Sequence, residues 1–182
     1  MTKDELIGEI SKTITKTKVV KLTAIMDKQR FALRDLIDVT FHPDADIAFR
    51  AAWILENLFL KKPELYTNDL GYLLARFKDV RYPSCKRHYA KIMMHITENK
   101  APGAIRQKLA EADFEPVVEQ LFDWMIDPEV LIAVKVFAAQ SLFNLRERYP
   151  WISDELKEHI RFLMRDGTAA IQSRGRKLLA QL

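Results

Sequence analysis

Four stretches of this chain can be laid over one another, and that self-similarity restricts the fold more than any other feature. They are Ile47–Leu55 (IAFRAAWIL), Cys85–Met93 (CKRHYAKIM), Val134–Leu142 (VKVFAAQSL) and Ile171–Leu179 (IQSRGRKLL). Each opens on an apolar residue and ends on a large one. The first three carry alanine five positions after the start, at Ala52, Ala90 and Ala139. One position earlier stands a small residue in three of them, Ala51, Ala138 and Gly175, where the second has Tyr89. The starts at 47, 85, 134 and 171 are 38, 49 and 37 residues apart, and the long interval holds an insertion, 99–112, headed by Pro102-Gly103.

A second register agrees with the first. His42-Pro43, Asp127-Pro128 and Asp166-Gly167 each end an apolar-periodic segment: Leu33, Leu36, Ile37 and Phe41; Val117, Leu121, Trp124 and Ile126; Ile160, Leu163 and Met164. Proline or glycine there stops one helix and frees the chain to start the next. The pattern apolar-basic-x-x-Ala-Ala-x-x-Leu, preceded by an Asp-Pro turn, resembles the first helix of a HEAT repeat, with Val134–Leu142 the closest match and the fourth copy, carrying Arg176 at the alanine position, the furthest. The resemblance covers about residues 31–182. It implies an all-α chain, a right-handed α–α superhelix of about four to five helix pairs. Small side chains at the contact position let neighbouring axes approach to the short end of the usual ~8–10 Å separation. No pair buries its apolar face alone, so neighbours must stack.

The predicted map is a single domain over residues 1–182, begun by an N-terminal capping helix within 1–16. Thr2 with Glu5 makes a capping box for a helix from Lys3 to about Thr13. Val19–Met26 pairs with Phe31–Phe41, Asp46–Leu60 with Asn68–Asp79, Ser84–Thr97 with Glu115–Ile126, and Glu129–Arg148 with Ser153–Arg165. A short helix at Ala104–Ala110 occupies the insertion, and Thr168–Gln181 ends the chain without a visible partner. No stretch alternates with period two, so no sheet is expected.

Composition sets the remaining bounds. One cysteine, Cys85, permits no intrachain disulfide and points to a reducing, cytoplasmic setting. The N-terminus lacks a basic region followed by an apolar run, and no apolar stretch approaches the ~18 residues a membrane helix needs. A membrane partner is therefore not expected. No G-x-S-x-G elbow, phosphate-binding loop or dinucleotide fingerprint occurs. His42, His88, His95 and His159 are scattered, and Cys85 has no cysteine companion for a metal. No enzyme activity, cofactor or metal is expected.

Charge is segregated. Residues 76–91 hold Arg76, Lys78, Arg81, Lys86, Arg87 and Lys91 against Asp79, and residues 161–177 hold Arg161, Arg165, Arg174, Arg176 and Lys177 against Asp166. Between them lie Glu111, Asp113, Glu115, Glu119, Asp123, Asp127 and Glu129 with no basic residue. The basic clusters permit a nucleic-acid partner; the bland alternative is solvated faces offsetting one another. Lys86 and Lys135 stand where HEAT repeats place a basic residue for contacts between repeats. The resemblance implies a scaffold holding a protein partner on the concave face lined by second-of-pair helices, with Arg34, Asp38, Tyr72, Arg76, Asp123, Trp124, Arg161 and Arg165 as contacts. Trp124 is the aromatic expected to be exposed there, Trp53 is expected in the core, and Trp151 to staple its corner. The alternative is a nucleic-acid-binding HEAT-like protein or one similar to the alkylpurine DNA glycosylases, whose aromatic–acid pair the group Asp123, Trp124 and Asp127 would supply. The acidic surroundings and the net charge of only +4 weigh against it. Asp127, before Pro128, is expected to serve the turn.

Overall fold

A computed structural model describes residues 1–12, 23 and 31–182, and those residues are helical with no strand. The first helix, α1 (Lys3–Ser11), opens with the expected capping box: Thr2 Oγ1 accepts from the Glu5 amide while the Glu5 carboxylate accepts from the Thr2 amide. The expected helix Val19–Met26 lies outside the described residues apart from Thr23, which is helical and buried. There follow α2 (Leu33–Val39), α3 (Ala45–Lys61), a 3₁₀ turn (Pro63–Asp69), α4 (Leu70–Ala75), a second 3₁₀ turn (Phe77–Asp79) and α5 (Pro83–Ile96). The chain continues as α6 (Gly103–Glu111), α7 (Glu115–Ile126), α8 (Ile132–Leu145), α9 (Ile152–Met164) and α10 (Ala169–Leu179).

The four repeated segments lie in α3, α5, α8 and α10, and these helices stack in that order into one layer. Burial follows the sequence register. Ala51, Tyr89, Ala138 and Gly175 are all buried at the small-residue position, and Ile54, Ile92, Ser141 and Leu178 are all buried three residues later. Arg176 is exposed where the other three copies hold buried alanine. At Gly175 the approach is close: a Cβ would sit 2.5 Å from Met164 Sδ and 3.1 Å from Ile160 Cγ2 of α9. Tyr89 fits without a small side chain because it points among aromatics, Phe41 at 6.3 Å and Phe77 at 6.2 Å between centroids, with its hydroxyl 2.7 Å from Thr40 Oγ1.

One expected pair regroups: α7, expected beside α5, packs most extensively on α8 across the short turn that follows it. α9 packs equally on α8, its expected partner, and on α10, and among the described residues α2 packs most on α3. Asp44 caps α3 by accepting from the amides of Asp46 and Ile47. Gly167 is needed in the last turn, where a Cβ would lie 2.4 Å from the Leu163 carbonyl. The final helix, expected without a partner, packs on both α8 and α9. The predicted helix Asn68–Asp79 is instead a short helix between two 3₁₀ turns. Pro63 starts the first turn, and Tyr66 breaks it with non-helical angles.

The insertion is a structural element. Its helix α6 buries Ile105 and Leu109 and packs on the turn Pro63–Asp69. Arg148, beyond α8, binds its C-terminal end by donating to the carbonyls of Leu109 (2.7 Å) and Ala112, with its guanidinium over the Phe114 ring. A cation on the last carbonyls of a helix is a favourable cap. Buried apolar residues from Leu6 to Leu178 form one connected core. Among the described residues no helix is long and apolar enough to cross a membrane.

Candidate functional site: the second-helix face

The second helices α2, α4, α7 and α9 carry every site residue read from the sequence, or lie beside it. Four of those residues meet. Tyr72 of α4 donates its hydroxyl to Asp38 Oδ1 of α2 at 2.5 Å, and Lys3 of α1 pairs with Asp38 Oδ2 at 3.1 Å. Arg34 lies over the Tyr72 ring at 5.4 Å while its Nε reaches Asp69 Oδ1 at 3.2 Å. Arg76 lies over Phe41 at 4.3 Å and pairs with Asp79 at 3.3 Å. Burial pushes the Asp38 carboxyl upward, but the bonds from Tyr72 and Lys3 outweigh it and hold the group below the ordinary carboxylate value. The Tyr72–Asp38 hydrogen bond and the Lys3–Asp38 pair tie α1, α2 and α4 together, while Arg34 and Arg76 form ion pairs with Asp69 and Asp79.

The other four are dispersed. Arg161 and Arg165 lie on α9, Arg161 paired with Glu158 at 2.6 Å and Arg165 over the Phe162 ring. Asp123 is exposed on α7. Trp124 is the correction: its side chain is 2% exposed, packed 4.7 Å from Phe77 between centroids, with Lys86 Nζ 5.9 Å from its ring. The spacing from Val117 and Leu121 places Trp124 on the buried stripe of α7, and this signal outranks its adjacency to Asp123. A buried ring stacks on neither a partner nor a flipped base, so both contact roles for Trp124 fall. Trp53, expected in the core, is only partly buried, near Phe49 and His88. Trp151 stacks on Phe122 at 5.6 Å yet remains 47% exposed. Asp127 Oδ1 accepts from the Glu129 amide at 2.9 Å, a turn role.

What sequence reasoning missed is a crease between the second and third of these helices. Gly71, Leu74, Ala75 and Lys78 line one wall; Ala112, Asp113, Pro116 and Val117 line the other, around a volume of about 390 Å³. The first wall repeats at i, i+3, i+4 and i+7, one helical face, and its small residues leave it open: nothing lies within 4 Å of a Cβ built at Gly71. The brevity of α4 makes the gap, since α7 packs on the turn Phe77–Asp79 and not on a full-length neighbour. The end of the insertion, fixed by Arg148, supplies Ala112 and Asp113. A glycine and an alanine four residues apart on a helix, opposite a proline, are the one sequence signal of this groove.

Elsewhere the titratable groups are enclosed. On the first-helix layer, Glu56 of α3 meets His88 Nδ1 at 2.5 Å and Lys91 Nζ at 2.6 Å, both from α5. Burial works to raise the Glu56 carboxyl, and the hydrogen bonds from His88 and Lys91 outweigh it, leaving it below its ordinary value. His88 Nε2 is buried without a hydrogen-bond partner. Burial pushes the Cys85 thiol up to about 12, so it is held as the unreactive thiol. Among the described residues no three His, Cys, Asp or Glu side chains converge in a way that would hold a metal.

Stacked helical hairpins with one continuous core and a groove across one face define the helical-repeat class. A family model for the HEAT repeat domain matches residues 6–182, and the chain belongs to that family. No curated protein and no solved structure matched it.

Proposed function

We propose that this protein is a non-catalytic binding scaffold that holds a segment of a protein partner in the crease between α4 and α7. The carrying observation is the crease itself: an open groove of about 390 Å³ whose walls are mostly small and apolar, where cavities of about 390 and 480 Å³ elsewhere on the surface are lined with more polar and charged side chains. Grooves of this size lined by apolar atoms with a few polar groups are the usual setting for recognition. The hydrogen bond from Tyr72 of α4 to Asp38 of α2, with Arg34 over the Tyr72 ring, supports the reading by holding α4 against α2, so one wall is fixed before a partner arrives. Preorganisation of this kind reduces the entropic cost of binding.

Two further features favour a scaffold. The closest acid–base pair, Glu56 with His88, is buried, with side chains only 8% and 3% exposed, so substrate has no access to it. The carboxylates around the crease, Asp113, Glu115 and Glu119, are exposed and repel a phosphate backbone. The reading sets the protein in the cytoplasm, on the sequence argument of its lone cysteine.

The test fills the groove without changing charge. Gly71→Gln with Ala75→Gln projects two neutral side chains from an exposed helical face. Native extract is passed over wild-type and filled baits, and retained proteins are identified by mass spectrometry. The expected result is a protein kept by the wild type and lost by the filled variant. Identical retention by both baits contradicts the proposal.

A further inference from the structure

We infer that the segment held in this crease is basic, with one large apolar side chain as its anchor; the inference rests on the scaffold reading above. The evidence is the charge on α7. Glu115, Glu119 and Asp123 recur every four residues, which sets them in one row along the helix, beside Pro116 of the crease wall, and all three are exposed. Asp113 adds a fourth carboxylate in the wall itself. Of the acidic stretch 111–129, only Glu111 is in an ion pair among the described residues, with Lys108 at 3.6 Å.

The contrast with α9 gives this row its meaning. That helix also carries three acids, and each has a partner one turn away: Asp154 and Glu158 pair with Lys157 and Arg161, and Glu155 hydrogen-bonds with His159. Like charges four apart disfavour a helix, and unlike charges support it. α9 resolves its charges internally; α7 leaves them exposed on the helix whose first turn, with Pro116 and Val117, forms one wall of the groove. A cationic segment laid along α7 removes the repulsion between Glu115, Glu119 and Asp123 and gains complementary contacts at the rim, which steer association and set specificity. The groove's apolar floor, Leu74, Ala75, Pro116 and Val117, receives the anchor. Lys78, the one cation in the lining among the described residues, stands on the opposite wall, so the basic residues of the segment run on the α7 side.

The probe is a short fluorescein-labelled peptide with a phenylalanine flanked on both sides by lysines, and a counterpart with glutamates in their place, followed by fluorescence anisotropy at low ionic strength. The wild type is expected to bind the lysine peptide and not the glutamate peptide. Reversing the rim charges, Glu119→Lys with Asp123→Lys, is expected to weaken binding by about tenfold or more, since each exposed attraction becomes a repulsion. Both positions are exposed, and a matching melting curve confirms that the fold survives. The inference is overturned by failure of the lysine peptide to bind, by equal binding of the two peptides, or by indifference to charge reversal. The two readings separate cleanly. A natural partner displaced by the filled crease but not by charge reversal leaves the scaffold reading standing and removes this one. Undiminished binding of the lysine peptide to the filled variant overturns both.

Discussion

Two glycine-to-alanine substitutions should move stability in opposite directions, and the sign at each is set by packing. In α10, a methyl at Gly175 would lie 2.5 Å from Met164 Sδ, 3.0 Å from Met164 Cγ and 3.1 Å from Ile160 Cγ2. The thioether can swing away, but the branched Ile160 side chain has little rotameric freedom. Overpacking of a tight contact costs ~1–3 kcal/mol, and replacing glycine by alanine inside a helix returns ~1 kcal/mol. With Ile160 unable to swing away, the cost falls in the upper part of that range, about 2–3 kcal/mol, and Gly175→Ala is expected to lose about 1–2 kcal/mol net. In α4, a methyl at Gly71 meets nothing within 4 Å. Gly71→Ala should therefore keep the propensity gain and stabilise by up to ~1 kcal/mol. Urea titration followed by circular dichroism reads both, as shifts of the midpoint at constant slope. A Gly175→Ala protein as stable as the wild type would refute the argument that α9 and α10 touch at that position.

The other stability predictions are independent of one another. Removing the Glu56 charge by Glu56→Gln leaves His88 and Lys91 without their anion and should cost about 3 kcal/mol at neutral pH, the low end for a buried pair because Lys91 is partly exposed. The folded carboxyl titrates below its ordinary 4.5, so its contribution is complete above that value and lost as pH falls through the lowered one. The gap between wild type and variant in urea melts should therefore shrink below pH 4.5, and a gap independent of pH would contradict the pairing. Arg148→Ala should free the end of α6 at a cost of ~1.5–3 kcal/mol, the scale of charged hydrogen bonds. Amide exchange over residues 103–112 should quicken, and unchanged protection there would refute the cap. Trp124→Ala should destabilise the protein by ~3–5 kcal/mol, the cost of emptying a buried aromatic site; a thermal melt matching the wild type would put the ring back on the surface.

The stack was legible in the sequence because it depends on local, repeated choices. Alanine pairs at a fixed offset and Pro or Gly at the turns specify nested helices, and the burial at 51, 89, 138 and 175 follows that register. Even Tyr89, which departs from the pattern, departs where the neighbouring second helix is broken and aromatic space opens. The regrouping of pairs was less legible, since periodicity locates helices but does not say which side of a turn carries the larger contact. Trp124 was misjudged by weighing its charged neighbour over its own stripe. The crease was hidden for a different reason: its walls come from residues 71–78 and 112–117, and its width depends on a helix cut short at Ala75. Non-local geometry of that kind has no one-dimensional signature beyond two small residues. The acidic row on α7 was visible from the start, but its lack of internal partners emerged only beside the paired charges of α9.

The most direct test of the account is a photo-crosslink from inside the groove. Benzoylphenylalanine at Lys78, an exposed position of the crease wall that already carries a long side chain, reports what enters the crease in the living host. The same residue at Arg87, exposed on α5 in the first-helix layer, serves as the comparison. The account predicts a covalent protein adduct from position 78 and none from position 87. An adduct from 87 alone, or from neither, would contradict it.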